Sequence, residues 1–301
     1  MNIFITGATG FLGSNIARFL VDKGHCLMAT KRADSSMDRC DSFVEVVTWV
    51  DTNEQNWLKN VIEFKPELII HTAWSGVGAA TRDDLEMQQK NIDFMAEILY
   101  IAEKMEVKKL ISLGSQAEYG IFADRATEAY AVKPVDNYGK IKLEALELIR
   151  NFCNMKGIEW YWLRIFSVLG TNENPEWLVP QTITKLKNGH DIALTGGEQV
   201  YDYLYMDDFL ERLNQVIEHK LNVSGIYNLC SGRAVQIKQL LLCIANALGV
   251  STNLLQFGAI PYRTNQNMNI VGCPDKFEET FGKLSLESLE GSIKKIIMVN
   301  D

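Results

Sequence analysis

The chain has 301 residues, 47% of them hydrophobic and 23% charged, with a formal net charge of −8. That size and balance suit a globular protein that buries one large core or two unequal ones. The acidic balance argues against nucleic acid or an anionic membrane as partner, so an anionic ligand must be held by local basic groups and helix ends. The chain opens in a strand rather than a secretory apolar segment, and no apolar run is long enough for a bilayer, so a cytoplasmic location is expected. Cys26, Cys40, Cys153, Cys230, Cys243 and Cys273 form no CxxC pair, which points to packed, reduced thiols and to no metal site.

The first predicted strand, residues 3–5, runs into Thr6-Gly7-Ala8-Thr9-Gly10-Phe11-Leu12-Gly13. Strand, glycine turn and amphipathic helix (15–23, closed by Gly24) is the order that a dinucleotide pyrophosphate needs. Gly7 permits the sharp turn, Gly10 lets the backbone approach the phosphates, and Gly13 lets the helix pack close to the strand. Thr9, Phe11 and Leu12 join the three glycines as candidate cofactor ligands. A second strand (26–30) is followed by Lys31 and Arg32, and a third (43–49) by Asp51. Next come a helix (55–64) ended by Pro66, a fourth strand (68–72), a long helix (85–105) and a fifth strand (109–113). Another long helix (138–155) leads to a sixth strand (160–165), where Trp160-Tyr161-Trp162 reads as core.

This alternation predicts an α/β fold, a Rossmann-type doubly wound parallel sheet, for residues 1–165. Beyond Ile165 turn residues become dense (Gly170, Asn172, Asn174, Pro175, Pro180), which predicts a smaller, partly discontinuous α/β substrate lobe over 166–301. Residues 201–209 and 226–229 are expected to return to the main sheet before a helix at 237–248. The two long helices are also rich in apolar positions: Phe94, Met95, Ile98, Leu99 and Ile101, then Leu143, Leu146, Leu148 and Ile149. Two such faces meeting about a two-fold axis predict a homodimer built on a four-helix bundle.

Tyr138 and Lys142, in Tyr138-Gly139-Lys140-Ile141-Lys142, project from one helix face. A neighbouring ammonium stabilises a phenolate, so this tyrosine can exchange a proton with an oxygen undergoing hydride exchange. Ser115 follows the fifth strand in Gly114-Ser115-Gln116-Ala117-Glu118-Tyr119-Gly120, where its hydroxyl can polarise the same oxygen. Asn91, in the first long helix, either holds that helix's carbonyls or a water near the lysine, or is solvated.

With these residues in view the chain resembles the extended short-chain dehydrogenase/reductase family (the NAD-dependent epimerase/dehydratase group), in particular its nucleotide-sugar-modifying members. The resemblance spans nearly the whole chain. It rests on Gly7, Gly10 and Gly13, on His71-Thr72-Ala73-Trp74, and on Asn91, Ser115, Tyr138 and Lys142. It extends to Arg164-Ile165-Phe166-Ser167-Val168-Leu169-Gly170 and to Gly196-Gly197-Glu198-Gln199 with Asp202-Tyr203-Leu204-Tyr205-Met206-Asp207-Asp208. The resemblance implies catalysis by Ser115, Tyr138 and Lys142, and cofactor contacts that include Thr72, Ala73, Trp74, Asn91, Tyr138, Lys142 and Ile165. It implies substrate contacts at Trp74, Ser115, Gln116 and Ser167.

NAD-preferring relatives end the second strand with an acidic residue, whereas Lys31 and Arg32 here suit a 2′-phosphate, so NADP(H) is expected. Two readings stand for Asp51, a partner of the adenine amino group or a solvated turn residue. The family's 4,6-dehydratases carry Thr-Asp-Glu where this chain has Ser115-Gln116-Ala117, which argues against water elimination. Relatives that epimerise and then reduce GDP-sugars use a cysteine near this loop, where Ala117 stands. The stretch Leu255-Gln256-Phe257-Gly258-Ala259-Ile260-Pro261-Tyr262-Arg263 resembles a segment of CDP- and dTDP-linked 4-keto-6-deoxyhexose reductases, and the wider family clamps a diphosphate with an arginine at the position of Arg263. The chain departs from the family at Tyr201, where a diphosphate-binding arginine is common. Trp177, Leu178 and Val179 either cover the nucleotide base or pack in the core. The expected function is NADPH-dependent reduction of the 4-keto group of a nucleotide-activated (6-deoxy)hexose for surface-polysaccharide biosynthesis. An NAD-retaining 4-epimerase is the alternative. A non-catalytic NADP-sensing protein is the second, disfavoured because such regulators lose the tyrosine or the lysine.

Overall fold

The computed structural model describes residues 1–264 and 266–299. The first half alternates as β1 (Asn2–Thr6), α1 (Phe11–Asp22), β2 (Cys26–Lys31), β3 (Thr48–Asp51), α2 (Trp57–Phe64), β4 (Leu68–His71), α3 (Leu85–Lys104), β5 (Lys109–Ser115), α4 (Asn137–Lys156) and β6 (Glu159–Ile165). The remainder runs β7 (Ser167–Leu169), α5 (Leu178–Lys187), β8 (Ile192–Leu194), β9 (Val200–Tyr205), α6 (Met206–Glu218), β10 (Gly225–Leu229), β11 (Ala234–Gln236), α7 (Ile237–Leu248), β12 (Leu255–Phe257), β13 (Asn269–Ile270), α8 (Asp275–Phe281) and α9 (Leu289–Val299). Among the described residues no helix is long and apolar enough to cross a membrane.

The main sheet has seven strands in the order β10-β6-β5-β4-β1-β2-β3. β1 lies parallel between β2 and β4, with Ile3 beside Leu27 on one side and Leu68 on the other. Strand order therefore reverses at β1, the Rossmann arrangement, and opens a crevice outside the carboxyl ends of β1 and β4. Every residue of β4 and β5 is buried, the mark of strands covered on both faces.

The chain divides into two compact units, one of residues 1–120, 131–164 and 219–227, the other of 121–130, 165–218 and from 228 onward. The first is built on a core that includes Phe4, Ile69, Met95, Ile98, Leu110, Leu146 and Trp162. The second has a four-stranded sheet of β7, β9, β11 and β13, a two-stranded sheet of β8 and β12, and a core joining α5, α7 and α9 through Ile183, Leu241 and Ile296. All six cysteines are free thiols, and Cys40, Cys153, Cys230 and Cys273 are buried.

Three sequence expectations are corrected. Residues 43–49 are not one strand: 44–46 form a 3-10 turn, and only Thr48–Asp51 pair with β2, from Met28 to Lys31. Val44 and Val46 have strand-like side chains, but the ladder supplies no partner there. Residues 201–209 do not rejoin the main sheet, since β9 pairs with β7, β11 and β13 and Met206 opens α6. Finally, the apolar surplus of the long helices is mostly spent inside the first unit, where Met95, Ile98, Leu99, Ile101, Leu146 and Ile149 are buried. Leu85, Tyr100, Leu148 and Met155 are the large apolar side chains that α3 and α4 leave exposed.

Candidate active site

The glycine turn is built for close approach. Gly7 has φ +73°, and a Cβ on it would come 2.7 Å from Ala73 N and Thr72 Oγ1. A Cβ on Gly13 would lie 2.1 Å from Gly7 O, so α1 begins this near the turn only because residue 13 is glycine. Gly10 caps α1 without a side-chain acceptor, which leaves the first helical N–H groups for an anion.

A cavity of about 340 Å³ opens over this turn. Gly7, Thr9 and Gly10 line it, with Thr30, Lys31, Arg32 and Ser35 from the end of β2, Thr72 to Ser75 from the loop after β4, and Lys90, Asn91 and Phe94 from α3. The fit to a nicotinamide dinucleotide is good: a bare backbone turn, a helix N-terminus and three cations, Lys31, Arg32 and Lys90, meet at one cavity. Arg32 pairs with Asp34 at 3.6 Å, and its N donates to Ser35 Oγ at 3.0 Å. Asp51 stands outside the lining. Its Oδ1 accepts from Asn53 N at 2.9 Å, and Thr52 reaches the cavity instead. Phe11 and Leu12 lie in the first turn of α1, half-buried and also outside the lining.

Asn91 has a definite task. Its Oδ1 accepts from Ser75 N at 2.8 Å and its Nδ2 donates to Ser75 O at 3.1 Å, tying the loop after β4 to α3. Thr72 Oγ1 donates to Thr6 O at 2.7 Å, and Ala73 N donates to Thr6 Oγ1 at 3.2 Å. Trp74 Nε1 donates to Gln88 Oε1 at 2.9 Å. Trp74 thus lines the cavity and also turns its edge to Tyr138, ring centres 6.2 Å apart. Beneath it, burial and then the Lys142 charge push His71 down to about 3, so the imidazole is neutral at working pH.

Ser115, Tyr138 and Lys142 are brought together, each more than nine-tenths buried. Ser115 hydrogen-bonds the Tyr138 hydroxyl. Lys142 Nζ donates to Leu113 O at 2.7 Å and lies 3.5 Å from the Trp74 ring centre. Burial pushes Lys142 down to about 7, with the Glu118 carboxylate acting in the other direction. Burial raises the Tyr138 phenol, while the Ser115 hydrogen bond and then the Arg82 charge draw it down. The cation facing the Tyr138 ring most closely is Arg82, 4.7 Å from the ring centre against 5.8 Å for Lys142.

A buried carboxylate holds Ser115 in place. Glu118 Oε1 accepts from Ser115 N at 2.7 Å while Ser115 Oγ accepts from Ala117 N at 3.1 Å, a reciprocal capping box. Glu118 also accepts from Trp162 Nε1 at 2.9 Å and from Arg164 Nε at 2.7 Å. Trp162 is core, as expected, but its indole N–H also belongs to this network.

In the second unit, Ile165 ends β6, Ser167 opens β7 half-buried, and Arg263 is exposed. Tyr201 is engaged locally: its hydroxyl donates to Asn267 O at 2.9 Å and accepts from Gln266 Nε2 at 2.8 Å. Val179 is core, whereas Trp177 is 44% exposed. Gln116, half-buried, opens the turn after Ser115 in the first unit.

Sequence reasoning missed Thr30, Ser35, Thr52, Ser75, Lys90 and Phe94 in the cavity, and Arg82, Glu118 and Arg164 around Ser115, Tyr138 and Lys142. Asp136 was findable, since an aspartate two residues before Tyr138 and three before Gly139 is a helix-cap signal.

The description "NAD dependent epimerase/dehydratase family" matches residues 3–230. CDP-abequose synthase of Salmonella muenchen is 21% identical over 99% of this chain and 98% of its own length. The dTDP-6-deoxy-L-talose 4-dehydrogenase (NAD(+)) of Aggregatibacter actinomycetemcomitans is 23% identical over 79% and 87%. Among solved structures, the UDP-glucose 4-epimerase of Thermotoga maritima superposes with a TM-score of 0.88 at 21% identity, covering 99% of this chain and 98% of that one.

Proposed function

The chain belongs to the NAD dependent epimerase/dehydratase family, and from that premise we propose that it reduces the 4-keto group of a nucleotide-activated 6-deoxyhexose with NADPH, for surface-polysaccharide synthesis. The observation that carries the cofactor choice is the cavity wall after β2, where Lys31, Arg32 and Ser35 take the place of a ribose-binding carboxylate. The likeness to CDP-abequose synthase supports the substrate class.

The glycine turn and α1 would hold the pyrophosphate, and Lys31, Arg32 and Ser35 the 2′-phosphate. The bound dinucleotide supplies the hydride. Ser115 Oγ accepts from Ala117 N, and its one proton would turn from the Tyr138 oxygen to the substrate carbonyl once substrate binds. Tyr138 then gives its phenolic proton to the carbonyl oxygen as the C4–H bond forms, leaving a phenolate that Arg82 stabilises. Buried surroundings exclude water from that transfer. We also propose that two copies pair through Tyr100 of α3 and Leu148 and Met155 of α4, the last two sharing one helix face, and that the protein works in the cytoplasm.

The test is NADPH oxidation followed spectrophotometrically with a panel of CDP-, dTDP-, UDP- and GDP-linked 4-keto-6-deoxy sugars. Oxidation with at least one member supports the reading. No oxidation, with interconversion of C4 epimers and retained NAD, would replace it with the epimerase.

A further inference from the structure

The start of α4 around Tyr138 is held by Arg82 and Asp83, from the segment before α3. Tyr138 N donates to Arg82 O at 3.0 Å. Asn137 is held twice by Asp83, its N donating to Oδ1 at 3.0 Å and its Nδ2 to O at 2.9 Å. Arg82 Nε meets Asp136 Oδ2 at 2.9 Å, and the other oxygen of Asp136 caps α4 by accepting from Gly139 N at 2.8 Å. These links set the guanidinium 4.7 Å from the centre of the Tyr138 ring.

We infer that Arg82 is a positioning residue for the proposed proton donor, fixing the Tyr138 ring and stabilising its phenolate. A cation over an aromatic face is attracted by the ring's quadrupole, and more strongly once the ring carries a negative charge. The contact therefore strengthens as the proton leaves, which is the kind of interaction that speeds a step. A guanidinium keeps its charge at every working pH. Lys142 lies farther from the Tyr138 ring centre, at 5.8 Å, with its ammonium against Trp74 and Leu113 O.

The groups facing Tyr138 come from several elements. Ser115 ends β5 and Glu118 follows it, Asp136 caps α4, Lys142 lies one turn further on, and Arg82 arrives from the segment before α3. Glu118 and Asp136 oppose the phenolate, and Arg82 and the Ser115 hydrogen bond favour it. The Arg82 side chain is 29% exposed, so solvent screens part of its effect.

The inference rests on Tyr138 as proton carrier, whichever reaction of the family the protein performs. Its test is the tyrosinate absorbance of Tyr138, taken as the difference between the parent protein and Tyr138→Phe through a pH titration. Arg82→Gln should move that midpoint upward, and Arg82→Lys, which keeps the charge, should return most of it. At neutral pH kcat of Arg82→Gln should fall on the order of 10-fold, less than the ~10²-fold expected from losing the phenol. A midpoint unmoved in Arg82→Gln overturns the inference even if kcat falls, since a merely structural staple slows the enzyme without changing the phenol's acidity. If Arg82→Gln does not fold, Arg82→Lys with a midpoint far from the parent's overturns it. A shifted midpoint in a protein that reduces no keto sugar sustains Arg82's role and removes the reductase reading instead.

Discussion

The Lys142 ammonium lies 3.5 Å from the centre of the indole ring of Trp74, a residue that also lines the cavity over the glycine turn. The ring face and Leu113 O stand in for the water that burial removes, and the lysine titrates near 7 instead of 10.5. Turnover that needs the ammonium should therefore decline as pH rises through about 7. Stability moves the other way. Between about 7 and 10.5 the unfolded chain binds a proton at Lys142 that the folded chain does not, so stability rises with pH across that window. Denaturant midpoints measured across it should climb less in Lys142→Met, and an equal climb would remove Lys142 as the source.

Tyr138→Phe should leave the fold and cofactor affinity intact, because the hydroxyl alone is lost. Turnover should drop by ~10²-fold or more, the scale of one general acid. Near-normal turnover would mean that another group protonates the product.

Lys31→Asp combined with Arg32→Ala should weaken NADPH and improve NADH. Both side chains line the cavity, and a carboxylate there repels a 2′-phosphate while accepting from ribose hydroxyls. The ratio of kcat/KM for the two cofactors reports this directly. An unchanged ratio would place the cations in solvent and favour the epimerase.

Glu118 and Arg164 form a buried pair, 0% and 2% exposed. Glu118→Gln leaves the guanidinium buried without its counter-charge and should cost about 3–5 kcal/mol in urea unfolding. Adding Arg164→Met should recover part of that loss. A single variant as stable as the parent would show that the pair is energetically idle.

Light scattering at micromolar concentration should give twice the 34.0 kDa chain mass. Leu148→Glu should dissociate the dimer if α4 lies in the interface. A mass near one chain for the parent would rule out the proposed pairing, and a Leu148→Glu protein still at twice that mass would move the interface elsewhere.

The sequence by itself determined what depends on neighbouring residues. Apolar runs specified β1, β2, β4, β5 and β6 and the helices between them, though not β3, since a strand or helix declares its buried face through its own period. The glycine turn was legible because its demands are steric and local: Gly7 must reach φ +73°, and Gly13 must leave room for Gly7 O. Tyr138 and Lys142 shared a helix face by spacing alone. Only the tertiary structure decided who meets whom across distance. Arg82 and Asp136 are 54 residues apart and Glu118 and Arg164 are 46 apart, and no periodicity links such positions. β9 shows the same limit, because a strand pattern names a face but not the sheet that receives it. The charge of Lys142 was likewise set by packing, since desolvation depends on what surrounds the ammonium and not on its place in the chain.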